Sequence, residues 1–411
     1  MDTGLLLEGG TLIDGTGAPP LPDSYVVIRD GTILAVGQGK ADLPRLDGCT
    51  SLDTRGLVIM PGFIDAHVHL TNSAGDDPVA DMLAADDEQL LRRSAANAES
   101  ALRSGLTTLR DCGGRHGVAL VLRNAIAGGQ VAGPRIIGCG MPVTTPEGHC
   151  YWMGLTAAGV EAVRRAAASQ FDAGADFIKV MASGGNATPT TDPSSPQYSV
   201  DELHAVVDVA HARGRAVAAH AHSAESVRRA VAAGIDTIEH CSWLAPQGDG
   251  YDSALVELMA ARGTVVSPAV TYSVRTPVEE AFQDPAQRER RRRMQAIRYR
   301  TGRLMHDAGL RFIFGTDAGA RRTRFEEWPL AIPVLVERFG FTPMEVVLAG
   351  TSESARALGV SDQVGTVVPG KRADLIGLRG DPLSDLTAYR QVALVIHDGK
   401  IVVSSRPPGT G

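Results

Sequence analysis

The sequence predicts an α/β protein: a (β/α)8 TIM-like barrel over residues 61–364, carrying a small composite β-sandwich domain drawn from residues 1–60 and 365–411. Three observations point there. Apolar strand-like runs alternate with helix-like segments through the middle of the chain, as a parallel sheet covered on both faces requires. The two ends share a different texture of short strands and tight turns. A length of 411 residues exceeds the ~250 to 300 at which single cores stop growing, which leaves room for a second, smaller domain.

In order, residues 5–60 read as the strand segments LLLEGGTLIDG, SYVVIRDGTILAVG and LVIMPG, with RDG as a hairpin signal. The tail repeats the pattern in VGTVVPGKRADLIGLRG and QVALVIHDGKIVVSS, where HDGK mirrors RDGT, so both ends are expected to pair in one domain. Between them lie eight strand-like runs: DAHVHL, TTLRDCGG, RIIGC, DFIKVMASGG, AVAAHAH, TIEHCS, TVVSPAV and FIFGTDAG. Helices are expected over 80–104, 157–173, 200–213, 223–234, 252–262, 279–308 and 327–338, several with apolar positions at helical period. In such a barrel the reacting groups stand at the C-terminal ends of the strands or in the loops just after them.

Composition narrows the function classes. A formal net charge of -7 gives the surface no pull on nucleic acid or an anionic membrane, so the expected partner is a small-molecule substrate. The basic run QRERRRRMQAIRYRTGR, 287–303, reads as a solvated helix face in an acidic chain rather than a nucleic-acid patch. Five scattered cysteines without a CxxC pair suggest neither a disulfide framework nor a thiolate zinc site, and fit a reducing cytoplasm. The N-terminus lacks the basic region of a secretory signal and no apolar run approaches ~18 residues, so neither export nor a membrane span is expected.

His67 and His69 close the first barrel run, and the strand period of two sends both imidazoles to one side. A lone strand histidine is usually structural, whereas an HxH pair after an apolar run is a ligand signature. Asp65 shares that face one pleat lower, as a support or a participant. His220 and His240 close their own runs, twenty residues apart, about one strand–helix repeat, which puts them on neighbouring strands. With the HxH pair they make a four-imidazole cluster, uncommon without a metal. His222 points the same way as His220 and competes with it; His220 is preferred because it is nearer the body of the strand.

Asp317 ends the eighth run between glycines, where a carboxylate can bind a divalent cation and take a proton from water, or else cap the next helix. Lys179 is embedded among Phe177, Ile178, Val180 and Met181. Desolvation favours a neutral amine, which can add carbon dioxide to form a carbamate with two oxygens; the alternative is a lysine snorkelling at the barrel rim.

With these residues in place, the sequence resembles the amidohydrolase superfamily. PGFIDAHVHL, GLTTLRDCGG, GADFIKVMASGG, VAAHAH, GIDTIEHCSWL, FGTDAG and VGTVVPGKRADLIGLRGDPL look like the branch of Xaa-Pro dipeptidases, metallo-carboxypeptidases, ochratoxin-hydrolysing amidases and phenylurea hydrolases, over about residues 5–403. The resemblance implies two divalent metal ions, zinc with manganese or cobalt as alternatives. His67, His69 and Asp317 would hold one, His220 and His240 the other, and a carboxylated Lys179 would bridge them. Homo-oligomers are common in that family.

Around this core, His149 in TTPEGHCYWMG is a candidate to polarise the scissile carbonyl or bind a substrate carboxylate. Tyr151 and Trp152 are candidates to shape an apolar pocket, with loop anchoring as the plainer role, and Tyr198 falls where some relatives bind a carboxylate. His222 stands on the substrate side if His220 is the ligand, and an arginine of GARRTRFEEW, Arg322 in particular, could clamp an anion. The expected reaction is hydrolysis of an amide or peptide-like C–N bond in a small substrate of N-acyl amino acid or dipeptide type. Urea, carbamate or cyclic-amide hydrolysis and deamination are rivals within the superfamily. A catalytically silent scaffold is the rival outside catalysis, and the competent residue at every ligand position argues against it.

Overall fold

The structure, a computed structural model, describes residues 4–39, 48–271 and 284–405. Its contacts divide the chain into two units, one from Met1–Asp65, Glu99–Thr108 and Thr342–Gly411, the other from Ala66–Ala98 and Leu109–Phe341.

In the first unit, β1 (Gly4–Leu12), β2 (Leu21–Arg29) and β3 (Thr32–Gln38) form an antiparallel meander, while β4 (Cys49–Asp53) and β5 (Leu57–Pro61) both run parallel to β1. The predicted RDG hairpin joins β2 to β3 through Asp30 at φ 51° and Gly31 at φ 75°. Two consecutive left-handed residues match the natural twist of a hairpin, which is why an Asp-Gly pair stands there.

Next along the chain, β6 (Phe63–Val68), β7 (Leu106–Asp111) and β8 (Arg135–Gly138) form one sheet. A second sheet contains β9 (Val143–Thr144), β10 (Leu155–Thr156), β11 (Ile178–Met181), β12 (Val217–Ser223), β13 (Thr237–Ala245), β14 (Gly248–Asp249) and β15 (Val265–Ser267). Its pairings are parallel apart from the β13–β14 hairpin. Register sets Met181 of β11 opposite His220 of β12, and His220 and Ala221 opposite Glu239 and His240 of β13.

The eighth run, FIFGTDAG, is not a continuous strand. Ile313 N donates to Val266 O at 2.9 Å, Ala66 N to Phe314 O at 2.8 Å and Asp317 N to His67 O at 2.8 Å, so the run touches β15 on one side and β6 on the other. Gly315 and a left-handed Asp317, at φ 64°, interrupt the ladder. Glycine is required there, since a Cβ on Gly315 would lie 2.4 Å from Ser267 Oγ.

The helical segments follow the periodicity with two exceptions. The 80–104 segment splits into α1 (Pro78–Leu83) and α2 (Asp87–Arg103), because the Asp86 carboxylate accepts from Gln89 N at 2.8 Å and starts a new helix. After α3 (Val118–Ala127), four helices fall inside their expected ranges: α4 (Val160–Asp172), α5 (Val200–His211), α6 (Ala224–Ala233) and α7 (Ser253–Arg262). α8 (Pro285–Asp307) occupies the expected 279–308 segment, whose residues 279–283 lie outside the described residues. The 327–338 segment is instead a 3-10 turn, one α-turn and a π-turn over Phe325–Phe339, because Pro329 and Pro333 remove amide donors that a regular helix needs. Among the described residues no helix is long and apolar enough to cross a membrane.

The chain then returns to the first unit with β16 (Leu375–Arg379), β17 (Val392–His397) and β18 (Lys400–Ser404). β16 pairs antiparallel with β5, giving one eight-stranded sheet ordered β18-β17-β16-β5-β1-β2-β3 with β4 on β1. Its core mixes Leu5, Leu7, Val26, Ile28 and Ile59 from one end with Leu375, Leu394 and Ile396 from the other. The HDGK turn repeats the first hairpin, with Asp398 at φ 47° and Gly399 at φ 73°.

Candidate metal centre

The centre starts at the end of β6. His67 and His69 are buried, and each has its Nδ1 engaged, His67 with Glu239 Oε2 at 2.8 Å and His69 with Gly113 O at 2.7 Å. A carbonyl can only accept, so His69 Nδ1 carries the proton. The Glu239 carboxylate fixes the same tautomer on His67, because Arg110 and Lys179 hold its pKa well below the usual range against the upward push of burial. Both Nε2 lone pairs therefore face Asp317, whose Oδ1 lies 3.6 Å from His67 Nε2 and 3.4 Å from His69 Nε2. Two lone pairs and a carboxylate with no proton to share repel each other unless a cation stands between them.

Beside this group, His220, His222 and His240 bring one ring nitrogen each within 4.8 Å of one another. His240 links the two groups, its ring 5.1 Å from that of His67 and 4.6 Å from that of His220. His222 Nδ1 meets Ser242 Oγ at 2.9 Å, and the His222 ring stacks on His240 at 4.5 Å. The structure thus brings both His220 and His222 to the cluster. Lys179 is 1% exposed, and its Nζ has no hydrogen-bond partner among the described residues.

Burial, helped by the Lys179 charge, pushes His67 and His69 down to about 4. The same causes push His149 to about 3, and burial with neighbouring imidazoles drives His220 and His240 well below the ordinary value. Neutral imidazoles are the form that binds a metal. Burial also raises the carboxyl of Asp317. These shifts have a consequence for stability. A histidine with pKa 6.5 when unfolded and about 4 when folded binds its proton only in the unfolded chain between those values, so stability is complete above pH ~6.5 and drains away as pH falls toward 4. For His67 and His69 this amounts to roughly 3 kcal/mol each. Melting of the chelator-treated protein is expected to fall steeply from pH 6.5 to 4.5; a flat profile there contradicts the neutral, buried assignment.

Three supporting residues escaped the sequence reading. Glu239 joins His67 to Arg110, whose Nη2 donates to Glu239 Oε1 at 2.5 Å and whose Nε donates to Ala66 O at 2.6 Å. Asp111 accepts from Leu70 N and Gly113 N, which fixes the carbonyl that holds His69. The available signal was charge inside apolar strand runs, in TTLRD and TIEH, the same signal that singled out Lys179.

His149 lies at the cluster, 4% exposed, its ring 4.4 Å from that of His220 and its Nδ1 without a partner among the described residues. The other substrate-side candidates are placed differently. Tyr198 is 1% exposed and its hydroxyl donates to Ala157 O at 2.8 Å. Tyr151 is 47% exposed, and Trp152 packs on an apolar cluster that includes Met153 and Met181. Arg322 Nε bonds Asp76 on the surface. Asp65 is fully buried.

Comparison with known proteins gives the family of the chain. Residues 58–402 match the Amidohydrolase family. The chain is 29% identical over 444 aligned residues to ochratoxinase of Aspergillus niger, covering 99% of this chain and 87% of that protein. Among solved structures it is similar to a Xaa-Pro dipeptidase with methionine bound in its active site, at TM-score 0.86 and 28% identity, covering 98% of this chain and 100% of the other. It is also similar to a prolidase complexed with N-methylphosphonate-L-proline, at TM-score 0.85 and 29% identity, with the same coverage of 98% and 100%.

Proposed function

The chain belongs to the amidohydrolase family, and from that premise we propose that it hydrolyses an amide or peptide-like C–N bond in a small substrate of N-acyl amino acid or dipeptide type, with two divalent metal ions. The observation that carries this reading is the convergence of two deprotonated Nε2 atoms on one Asp317 oxygen, at 3.4 and 3.6 Å. His67, His69 and Asp317 are assigned to one ion, His220 and His240 to the other, and Lys179, as its carbamate, to the position between them. His222, one step nearer the mouth of its strand, is assigned to the substrate side. The unpartnered Lys179 Nζ supports the carbamate, since two carbamate oxygens would give that nitrogen's position the partners it lacks.

Divalent cations in this donor set supply Lewis-acid polarisation of a carbonyl and lower the pKa of water to near neutral. Asp317 takes the proton of the attacking water and returns it to the leaving nitrogen. His149, kept neutral, presents an N–H toward the scissile carbonyl oxygen. Glu239 and Arg110 keep His67 in the tautomer that faces inward. The same reading closes the eight parallel runs into a barrel; Asp176 N donating to Gly138 O at 2.8 Å supports it by tying the end of β8 to the approach to β11.

Methionine and N-methylphosphonate-L-proline, the ligands of two relatives, both carry an amino-acid carboxylate, which supports the substrate class. The test is a panel of N-acyl amino acids, Xaa-Pro dipeptides, aryl ureas and lactams, run beside metal analysis of the purified protein. Turnover of the first two classes, lost on chelation and restored by zinc, manganese or cobalt, is the expected result. Turnover confined to ureas or lactams, or full activity without metal, overturns the reading.

A further inference from the structure

Three histidines of the metal centre are aimed by a bond at Nδ1: His67 by Glu239, His69 by Gly113 O and His222 by Ser242. His149 differs, since its Nδ1 has no partner among the described residues. Its ring is therefore aimed by its own backbone and by what packs on it. That backbone is an irregular turn, in which Glu147 and Cys150 both adopt a φ of 57°. Residues with a Cβ keep such left-handed values only where the surroundings hold them.

The turn is held largely by the segment that follows β11. Gln197 Oε1 accepts from His149 N at 2.6 Å, while Gln197 Nε2 donates to Met181 O at 2.8 Å. An amide answers both needs at once, because the N–H requires an acceptor and the carbonyl a donor. Gln197 is itself fixed at the strand end, its N donating to Ala182 O at 2.8 Å. One side chain thus ties the backbone of His149 to β11, the strand that carries Lys179. Thr144 Oγ1 donates to His149 O at 2.7 Å, and Cys150 N donates to Thr188 Oγ1 at 2.9 Å. The ring itself meets a wall at Gly185, where a Cβ would lie 2.4 Å from both Cε1 and Nε2 of His149. It rests against that bare backbone with the His220 ring 4.4 Å away.

We propose that Gln197 is a positioning residue for the reaction: it holds the turn of His149 so that the imidazole reaches the scissile carbonyl oxygen, with Gly185 as the wall against which the ring is set. Alignment of the carbonyl then depends on residues 182–199, a segment to which no metal ligand is assigned. The inference rests on the proposed role of His149 at that oxygen.

The test measures kcat, KM, metal content and melting of the full-length metal-loaded enzyme on a cleaved N-acyl amino acid or dipeptide. Wild type is compared with Gln197→Met, Gln197→Glu and Gly185→Ala, each alone and combined with His149→Ala. Gln197→Met, close in volume and without either bond, is expected to lower kcat about 10-fold, with KM within about twofold and metal content unchanged. Gln197→Glu keeps the acceptor for His149 N and loses the donor to Met181 O, so its kcat is expected to fall between. Gly185→Ala, which pushes the ring directly, is expected to lower kcat at least as far as Gln197→Met. In the His149→Ala background Gln197→Met and Gly185→Ala are each expected to cost less than about twofold, because no imidazole is left to misplace. Losses that multiply with that of His149→Ala, or that arrive with loss of metal, overturn the positioning role and leave the proposed reaction standing. His149→Ala at the wild-type kcat removes the carbonyl role of His149 and the positioning role with it.

Discussion

Lys179→Ala is expected to empty the metal centre and to lower kcat/KM by at least about 10³-fold, since the several kcal/mol supplied by metal polarisation goes with it. The wild-type side chain sits at 1% exposure with its Nζ unpartnered, and its charge depresses His67, His69 and His149. An amine in that position destabilises the metal-free protein, because an uncompensated polar group out of water costs a few kcal/mol. The variant should therefore melt at or above the wild type when both are chelated, which separates loss of metal from loss of fold. Formate or acetate, entering the space that the side chain leaves, should restore part of both metal content and activity. Elemental analysis and turnover across a carboxylate titration measure this, and a variant that keeps full metal and full activity without added carboxylate refutes the bridging role.

Asp317→Asn carries the second large effect. The substitution keeps shape and removes the proton acceptor, so kcat is expected to fall on the order of 10³-fold with a much smaller change in KM. Wild-type kcat/KM should fall as pH drops through the pKa of this carboxyl, because the base must be ionised to act. The residual activity of the asparagine variant should lack that acidic limb. A variant that works at the wild-type rate, or keeps the limb unchanged, shows that another group moves the proton.

Much of the centre was legible because strand ends leave short, local signatures. The HxH of β6 and the histidines that close β12 and β13 needed only period-two alternation and repeat length to be brought together. Glu239 was hidden by that same rule, which sends neighbours to opposite faces. In the structure His240 and Cys241 adopt φ of 66° and 46°, the pleat breaks, and Glu239 and His240 both reach His67. Left-handed backbone at non-glycine residues is costly and collects at functional sites, but sequence alone does not announce it. The orientations of Tyr198 and Arg322 were hidden for another reason: a side chain's direction is decided by partners such as Ala157 and Asp76, far away in sequence or on another loop.

The sheet that unites the two ends of the chain imposes an order on biosynthesis. β5 receives its antiparallel neighbour from Leu375–Arg379, and its core takes Leu394 and Ile396 from still later residues. A ribosome therefore exposes β1 to β5 long before their edge can be covered, and a bare edge invites pairing with another nascent chain. Long-range closure of this kind is slow, so the newly made protein depends on chaperone shielding, or on prompt folding of the intervening segment, until the last strands emerge.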